Sequence, residues 1–467
     1  MKLGTRVVAN EKPVTVSAGK EKMAWVERLA VVMERVVPDA ITTSILLLII
    51  LVAMSLGIGT SVADTVNAYY NGLWNLLAFT MQMTLILVLS LILGATPFFK
   101  RAIIRLAQLP RTVPQVVVGS VLTSAVIAYM NWGLSIALAP LVAIHFCRNA
   151  EAKGLKVDFL FLMGALAGAG AVWQFGLSGS APLLMATPGH FLEETTGIMP
   201  LSTTIWAPAT IVLVISFLIA VMIAGIVLMP KNVRPISEFH DAQASVAEEV
   251  EEEVPPQQRT FAMWMENSSL VIVPLVLMLF AWLYTHFFVK ELSLDINSMN
   301  TIVLTAGLIL HRNIARFTRA LREAVGLAWP IVLLYHLYAG VAGLIQFTPV
   351  GEYIVSMFDP IMTPYTFPVL IVLVSAVVSF FIPTSGGQWL IQGYVTVQAA
   401  ESVGHTAQRG LLALSVGDHM GNLLTPFWAV VGASIARVDF RLMFGYRLIF
   451  AAIWFVMGTL AFTFLPC

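Results

Sequence analysis

About nine stretches of this chain are too apolar to remain in water and long enough to cross a lipid bilayer. The hydrocarbon core is ~30 Å thick and an α-helix rises ~1.5 Å per residue, so a spanning helix needs about 20 apolar residues. Runs of this kind cover residues 39–57, 73–95, 159–186, 205–229, 270–289, 325–345, 411–433 and 442–465, with a shorter one at 296–310. In lipid every backbone N–H and C=O must find a partner within the protein, which leaves helices or closed barrels. Runs of this length predict helices, and therefore an all-α polytopic membrane protein. The composition agrees: 58% of residues are hydrophobic and 11% charged, where a soluble domain carries about 25% charged residues. With formal net charge zero, no basic surface points to nucleic acid.

Two further greasy regions, 113–146 and 367–400, are interrupted near the middle. Their arms read as about 12 to 15 residues, or roughly 20 Å, which is too short to cross. They are expected to be re-entrant hairpins that dip into the membrane and return to the same side. With the N-terminus in the cytoplasm, every Lys and Arg of the 26 except Lys290 and Arg409 falls in a cytoplasmic segment. This satisfies the positive-inside rule and puts the C-terminus outside. The polar tail carries no cleavable signal pattern, and residues 23–37, "MAWVERLAVVMERVV", have the spacing of an amphipathic helix lying on the membrane. The acidic stretch "AEEVEEEVPPQQ" reads as a disordered cytoplasmic linker. Cys147 and Cys467 have no metal or redox spacing.

The order of elements repeats. Residues 39–229 and 296–467 each read as two helices, a connector, a hairpin, a helix with a polar break and a closing helix. An even number of crossings in the first unit, plus one connecting helix within 266–295, starts the second on the opposite face. The division is a tail (1–38), a first repeat (39–229), a linker (230–265), a connecting helix (266–295) and an inverted second repeat (296–467). Two hairpin tips entering from opposite sides can meet near the midplane, as in many secondary transporters.

Four polar breaks interrupt the apolar runs: "MNWGLS" (130–135), "WQFGLSGSAP" (173–182), "IPTSGGQW" (382–389) and "GDHMGNLLTP" (417–426). Non-helical backbone survives at membrane depth only where it is buried in protein or lines a wet cavity. A helix that resumes after a break aims free N–H groups and the positive end of its dipole into the gap. Hydroxyls at Ser178, Ser180 and Ser385, with nearby glycine N–H groups, suit a small carboxylate, and no Arg or Lys lies in any break. Carbonyls at the broken ends suit Na⁺. Asp418 is the one acid placed inside a break, and His419 is its neighbour. An ionisable pair at that depth is a candidate for coupling to H⁺ or Na⁺. Trp132, Trp173, Trp389 and Trp428 cluster at the breaks.

The strings "GLWNLLAFTMQM", "NWG", "SGSAPLLMATPGH", "PTSGGQWLIQG" and "NLLTPFWA" resemble the short-chain fatty acid transporter family, the AtoE-like proteins, from about residue 28 onward. The resemblance implies uptake of small monocarboxylates such as acetoacetate or butyrate, and the fold of the broad ion transporter superfamily. It also implies a homodimer that moves a transport domain past a scaffold in elevator fashion, with no organic cofactor and no enzymatic activity. Carried over by position, the tip residues are Asn131, Trp132, Gly133, Thr384, Ser385, Gly386, Gly387 and Gln388. The broken-helix residues are Ser178, Gly179, Ser180 and the segment Gly421 to Thr425, including Asn422. The Ser-Asn-Thr triplet of dicarboxylate carriers is missing from both tips.

Three alternatives stand beside this reading. One is a carrier of dicarboxylates or other organic anions, and another is a passive channel. The third is an intramembrane serine protease, because "GLSG" (176–179) matches a Gly-x-Ser-Gly pattern with His419 as a partner for Ser178.

Overall fold

A computed structural model describes residues 38, 40–247 and 260–466. The expected surface helix at 23–37, most of the acidic run and Cys467 lie outside the described residues. The described residues are helical with no strand. The first half holds α1 (Ala40–Gly57), α2 (Val62–Asn75), α3 (Leu77–Gly94), α4 (Pro97–Gln108), α5 (Val113–Met130), α6 (Trp132–Ala152), α7 (Phe159–Ala169), α8 (Ser180–Met185) and α9 (Pro208–Val227). A connecting helix α10 (Val273–Tyr284) leads to the second half. There follow α11 (Ile296–His311), α12 (Ile314–Phe347), α13 (Val350–Phe358), α14 (Thr366–Phe381), α15 (Ser385–Ser402), α16 (Ala407–Leu424), α17 (Pro426–Ile435) and α18 (Phe440–Phe464). The chain is a multi-pass membrane protein.

Side chains at the helix starts explain why many elements begin where they do. Asn131, Asp158, Asn313 and Asp439 each accept a hydrogen bond from a backbone N–H of the first turn of α6, α7, α12 and α18. Such caps satisfy donors that have no partner inside the helix. α15 differs: its N-cap Thr384 makes no side-chain cap. Its leading N–H groups receive no bond from that side chain, although the Gly387 N–H meets the Tyr335 hydroxyl, and this is the helix that follows the "IPTSGG" break.

Small residues set how closely the helices approach. Gly164 and Gly168 of α7 seat Tyr446 and Phe450 of α18, and Gly72 of α2 meets Gly343 of α12. A Cβ on Gly421 would come within 2.5 Å of Ser379 Cβ and 2.6 Å of the Ala376 carbonyl on α14, and Gly417 lies one turn earlier against Val372 and Ser375. In lipid, where apolar surface gains little by leaving solvent, such close backbone approach drives helix association.

The structure corrects the sequence reading in four places. By length and composition, 7 helices among the described residues can cross a membrane, or 8 if the bent pair Val332–Phe347 and Val350–Phe358 is one span. The expected nine left out Val113–Met130 and Trp132–Ala152, the arms of the first hairpin, which are among these. Ile41–Gly57, Ile296–His311 and Thr366–Phe381 are shorter apolar helices, and 411–433 divides into α16 and α17. The arms of the first hairpin are 18 and 21 residues long, not the short arms expected. Pro140 sits inside α6, and Pro114 occupies the first turn of α5, where a missing N–H costs nothing. The fourth break is narrower than "GDHMGNLLTP". α16 stays helical through Leu424 and only Thr425 is extended (φ −72°, ψ 138°). Asp418 and His419 thus sit on a helix, and Gly417 and Gly421 are packing residues. Finally, the start of the linker is docked. Ile236 and Ala242 are buried, and the Arg234 N–H donates to Asp158 Oδ2 at 3.0 Å.

Candidate functional site

A cavity of about 160 Å³ opens where both hairpin tips and both broken helices converge. The first tip contributes Trp132 and Ser135, and the first broken helix contributes Gly170, Trp173 and Ser180. The second tip gives Pro383, Thr384 and Ser385; the end of α16 gives His419 and Asn422. Trp428 of α17, with Met443 and Arg447 of α18, completes that side, and Tyr335 of α12 reaches in from the other. The rest of the wall is aliphatic, including Ile136, Pro140, Met163, Leu166 and Val431. The lining is mostly apolar with a few polar side chains (Ser135, Ser180, Thr384, Ser385, His419, Asn422 and Arg447), a mixture that suits a small amphiphile.

The residues expected at the site fall into two groups. Trp132, Ser180, Thr384, Ser385, His419 and Asn422 line the cavity. Asn131, Gly133, Ser178, Gly179, Gly386, Gly387, Gln388, Thr425 and Asp418 do not line it, but several of them build its frame. Ser178 accepts a hydrogen bond from the Trp132 N–H at 2.9 Å, and Asn131 Oδ1 accepts one from the Leu134 N–H at 3.1 Å. The N-terminus of α6 is therefore closed by the protein's own side chains. Gln388 Nε2 donates to the Ser375 carbonyl at 2.9 Å and to Gln392 Oε1 at 2.9 Å, which pins α15 to α14. Gly386 and Gly387 let the second tip lie against Tyr335 and Tyr338 of α12. Of the four tryptophans, Trp132, Trp173 and Trp428 wall the cavity, whereas Trp389 is fully buried outside its lining.

A chain of polar side chains runs behind the cavity and joins the two halves of the sequence. Ser385 Oγ donates to Gln174 Oε1 at 3.0 Å, and Gln174 Nε2 donates to Asp418 Oδ2. Asp418 accepts two more bonds, from Asn422 Nδ2 to Oδ2 at 3.1 Å and from Ser379 Oγ to Oδ1 at 3.0 Å. Its carboxyl has no exposed surface. A buried carboxyl is tolerated when hydrogen-bonded in this way. The arrangement couples the state of Asp418 to the second tip through one amide.

Sequence reasoning missed two residues. Gln174 lay within a quoted break, and its signal was an amide in an otherwise apolar stretch. Arg447 was placed with the cytoplasmic positive charges, but it is buried and lines the cavity. Its signal was helical phase. Phe440, Met443, Phe444, Arg447, Phe450 and Trp454 recur at helix spacing, and all are buried.

The protease arrangement is absent. The Ser178 hydroxyl serves the Trp132 N–H, and neither ring nitrogen of His419 has a hydrogen-bond partner. The ring of His419 instead lies edge-on to Trp173 and Trp454, with centroids 6.0 and 5.6 Å away.

Comparison with known proteins fits this picture. Residues 22–464 match the model of the family described as short chain fatty acid transporter. A relative from Haemophilus influenzae, provisionally named as a short-chain fatty acid transporter, is 28% identical over 90% of this chain and 95% of its own. A relative from Escherichia coli with the same provisional name is 27% identical over 92% of this chain and 97% of its own. The crystal structure of the Alcanivorax borkumensis YdaH transporter shares the fold at 14% identity, with TM-score 0.50, covering 91% of this chain and 98% of that one. The family and both relatives are transporters, not enzymes. A whole-chain family match and an all-helical membrane fold place the protein in the short-chain fatty acid transporter family.

Proposed function

We propose that the protein is a secondary active transporter that carries small monocarboxylates such as butyrate or acetoacetate across the cell membrane. The observation that carries the reading is the cavity shared by both tips and both broken helices, lined by a few polar side chains among mostly apolar ones. The carboxylate sits near Ser180, Ser385 and the start of α15, where the hydroxyls and the helix dipole favour an anion. The acyl tail lies on Ile136, Met163, Leu166 and Val431.

In this reading the two halves are inverted repeats, with the N-terminus cytoplasmic and the C-terminus outside an inner membrane. A homodimer holds a scaffold against which the cavity-bearing helices move as an elevator. The Asp418 carboxyl couples that movement to H⁺, or backbone carbonyls near Thr425 couple it to Na⁺. The same element order in 40–227 and 296–464 supports the repeat, and the Ser385–Gln174–Asp418 chain supports the coupling.

Uptake of labelled butyrate into proteoliposomes tests the function. Saturable flux above that of protein-free vesicles is expected under an imposed Na⁺ or pH gradient. Equal flux with and without protein under both gradients removes the reading, and flux that never saturates favours a channel. Ser385→Ala removes the donor to Gln174 and is expected to lower uptake several-fold, since one such hydrogen bond is worth about 1 kcal/mol. Asp418→Asn replaces one acceptor oxygen with an NH₂ group facing donors it cannot serve. It is expected to change the ion or pH dependence of uptake, and identical profiles for variant and wild type remove Asp418 from coupling.

A further inference from the structure

Arg447 is a cation without a counter-ion in the middle of the protein. It is 97% buried, leaving 3% exposed. Its Nη2 donates to the Asn422 carbonyl at 3.1 Å. That carbonyl needs a donor for a local reason: its helical partner four residues on is Pro426, which has no N–H. The contact fixes the guanidinium against the break between α16 and α17. Nε and Nη1 have no hydrogen-bond partner. Among the described residues no carboxylate forms an ion pair with Arg447. Asp418, on the neighbouring helix, is already held by Gln174, Ser379 and Asn422.

Burying an unpaired guanidinium costs far more than a typical surface charge, and a native fold keeps one only where something repays the cost. Met443 and Arg447 are one helical turn apart on α18, and both line the cavity. The position therefore presents an unpaired cation to a cavity that is otherwise mostly oily. His419 lines the same cavity with both ring nitrogens unpartnered, and Trp132 Nε1 is likewise unpartnered.

We infer that Arg447 is the charge anchor for the substrate carboxylate and the residue that limits the transporter to singly charged acids. This rests on the transport reading above and adds what recognises the charge. One carboxylate neutralises the Arg447 guanidinium. A second carboxylate on the same molecule would find no second Lys or Arg among the lining residues and would have only neutral donors such as Ser180 and Ser385 to set against its desolvation, so dicarboxylates bind more weakly. The residue specifies charge, and the aliphatic body specifies the tail.

The test uses the full chain in detergent and the fluorescence of Trp132, Trp173 and Trp428, which wall the cavity. Butyrate, its neutral isostere butyramide and the dicarboxylate succinate are titrated at neutral pH into wild type and Arg447→Gln. Wild type is expected to bind butyrate at least about tenfold more tightly than butyramide, the span of one charge-assisted hydrogen bond. Arg447→Gln is expected to lose most of that preference while keeping its affinity for butyramide within about threefold. Succinate is expected to bind wild type at least about tenfold more weakly than butyrate. If Arg447→Gln keeps the butyrate preference, the anchor is elsewhere and the inference fails while the transport reading stands. Should the variant not fold, wild type decides alone: equal affinity for butyrate and butyramide overturns the anchor. Binding of succinate as tight as butyrate overturns the charge limit. If wild type neither binds nor carries butyrate, the transport reading itself has failed.

Discussion

Gln174→Leu is expected to cut butyrate uptake in proteoliposomes by at least about tenfold at unchanged protein level, because one amide serves both the tip and the acid. The substitution removes the acceptor of Ser385 Oγ and a donor to Asp418 in a single step. Neither group has solvent to turn to: Asp418 is fully buried and Ser385 is 3% exposed. A hydrogen bond to a charged group contributes about 1.5–3 kcal/mol, and a buried partner left unsatisfied costs more. At about 1.4 kcal/mol per decade, this is a tenfold to hundredfold effect on how often the second tip holds the arrangement that Ser385 and Gln174 make. Gln174→Leu also alters the ion dependence if the acid is the coupling group, which a pH and Na⁺ series would show. Uptake within twofold of wild type, from a protein of normal thermal stability, would mean the chain is only scaffolding.

The largest effect on folding is expected at Gly417. A valine there would place its Cβ against the carbonyl oxygen of Val372 and beside Ser375 Cβ and the Ala376 nitrogen. Two of these three are backbone atoms and cannot rotate aside. Overpacking costs about 1–3 kcal/mol where side chains can yield and more where they cannot. Gly417→Val should therefore lower stability by about 3 kcal/mol or more and push α14 off α16, dispersing the second tip. Thermal unfolding in detergent reads the loss. Gly326→Ala serves as the contrast, because nothing lies within 4 Å of the Cβ it would add. A normal melting temperature for Gly417→Val would show that the α14–α16 crossing is looser than its glycines indicate.

The class of fold was legible from the sequence because lipid leaves the chain few options. Apolar length, positive charge and the two interrupted regions each carry a direct physical meaning, and most of the polar side chains around the cavity came from the quoted breaks. Three misreadings share a cause: a linear string does not give helical phase or the neighbouring helix. Gly417 and Gly421 looked like a break because glycine disfavours an isolated helix, yet here it admits α14 to close range. The first hairpin's arms looked short, yet α6 runs for 21 residues through Pro140. Arg447 looked like a cytoplasmic charge because it lies ten residues after Arg437 in a basic stretch, and only its spacing from Met443 and Trp454 places it inside. Gln174 was visible, but its two partners are 211 and 244 residues away and no local pattern announces them.

Those separations bear on how the protein is made. The first half is synthesised and handed to the membrane long before residues 385 and 418 exist, and until then the Gln174 amide sits in lipid or against a provisional neighbour. Closing loops of that length is slow. A chain cut short after its first half carries a polar residue with nothing to satisfy it, and would be a ready substrate for membrane quality control. The side chains that join the two halves in the finished transporter also mark, during biogenesis, whether the second half has arrived.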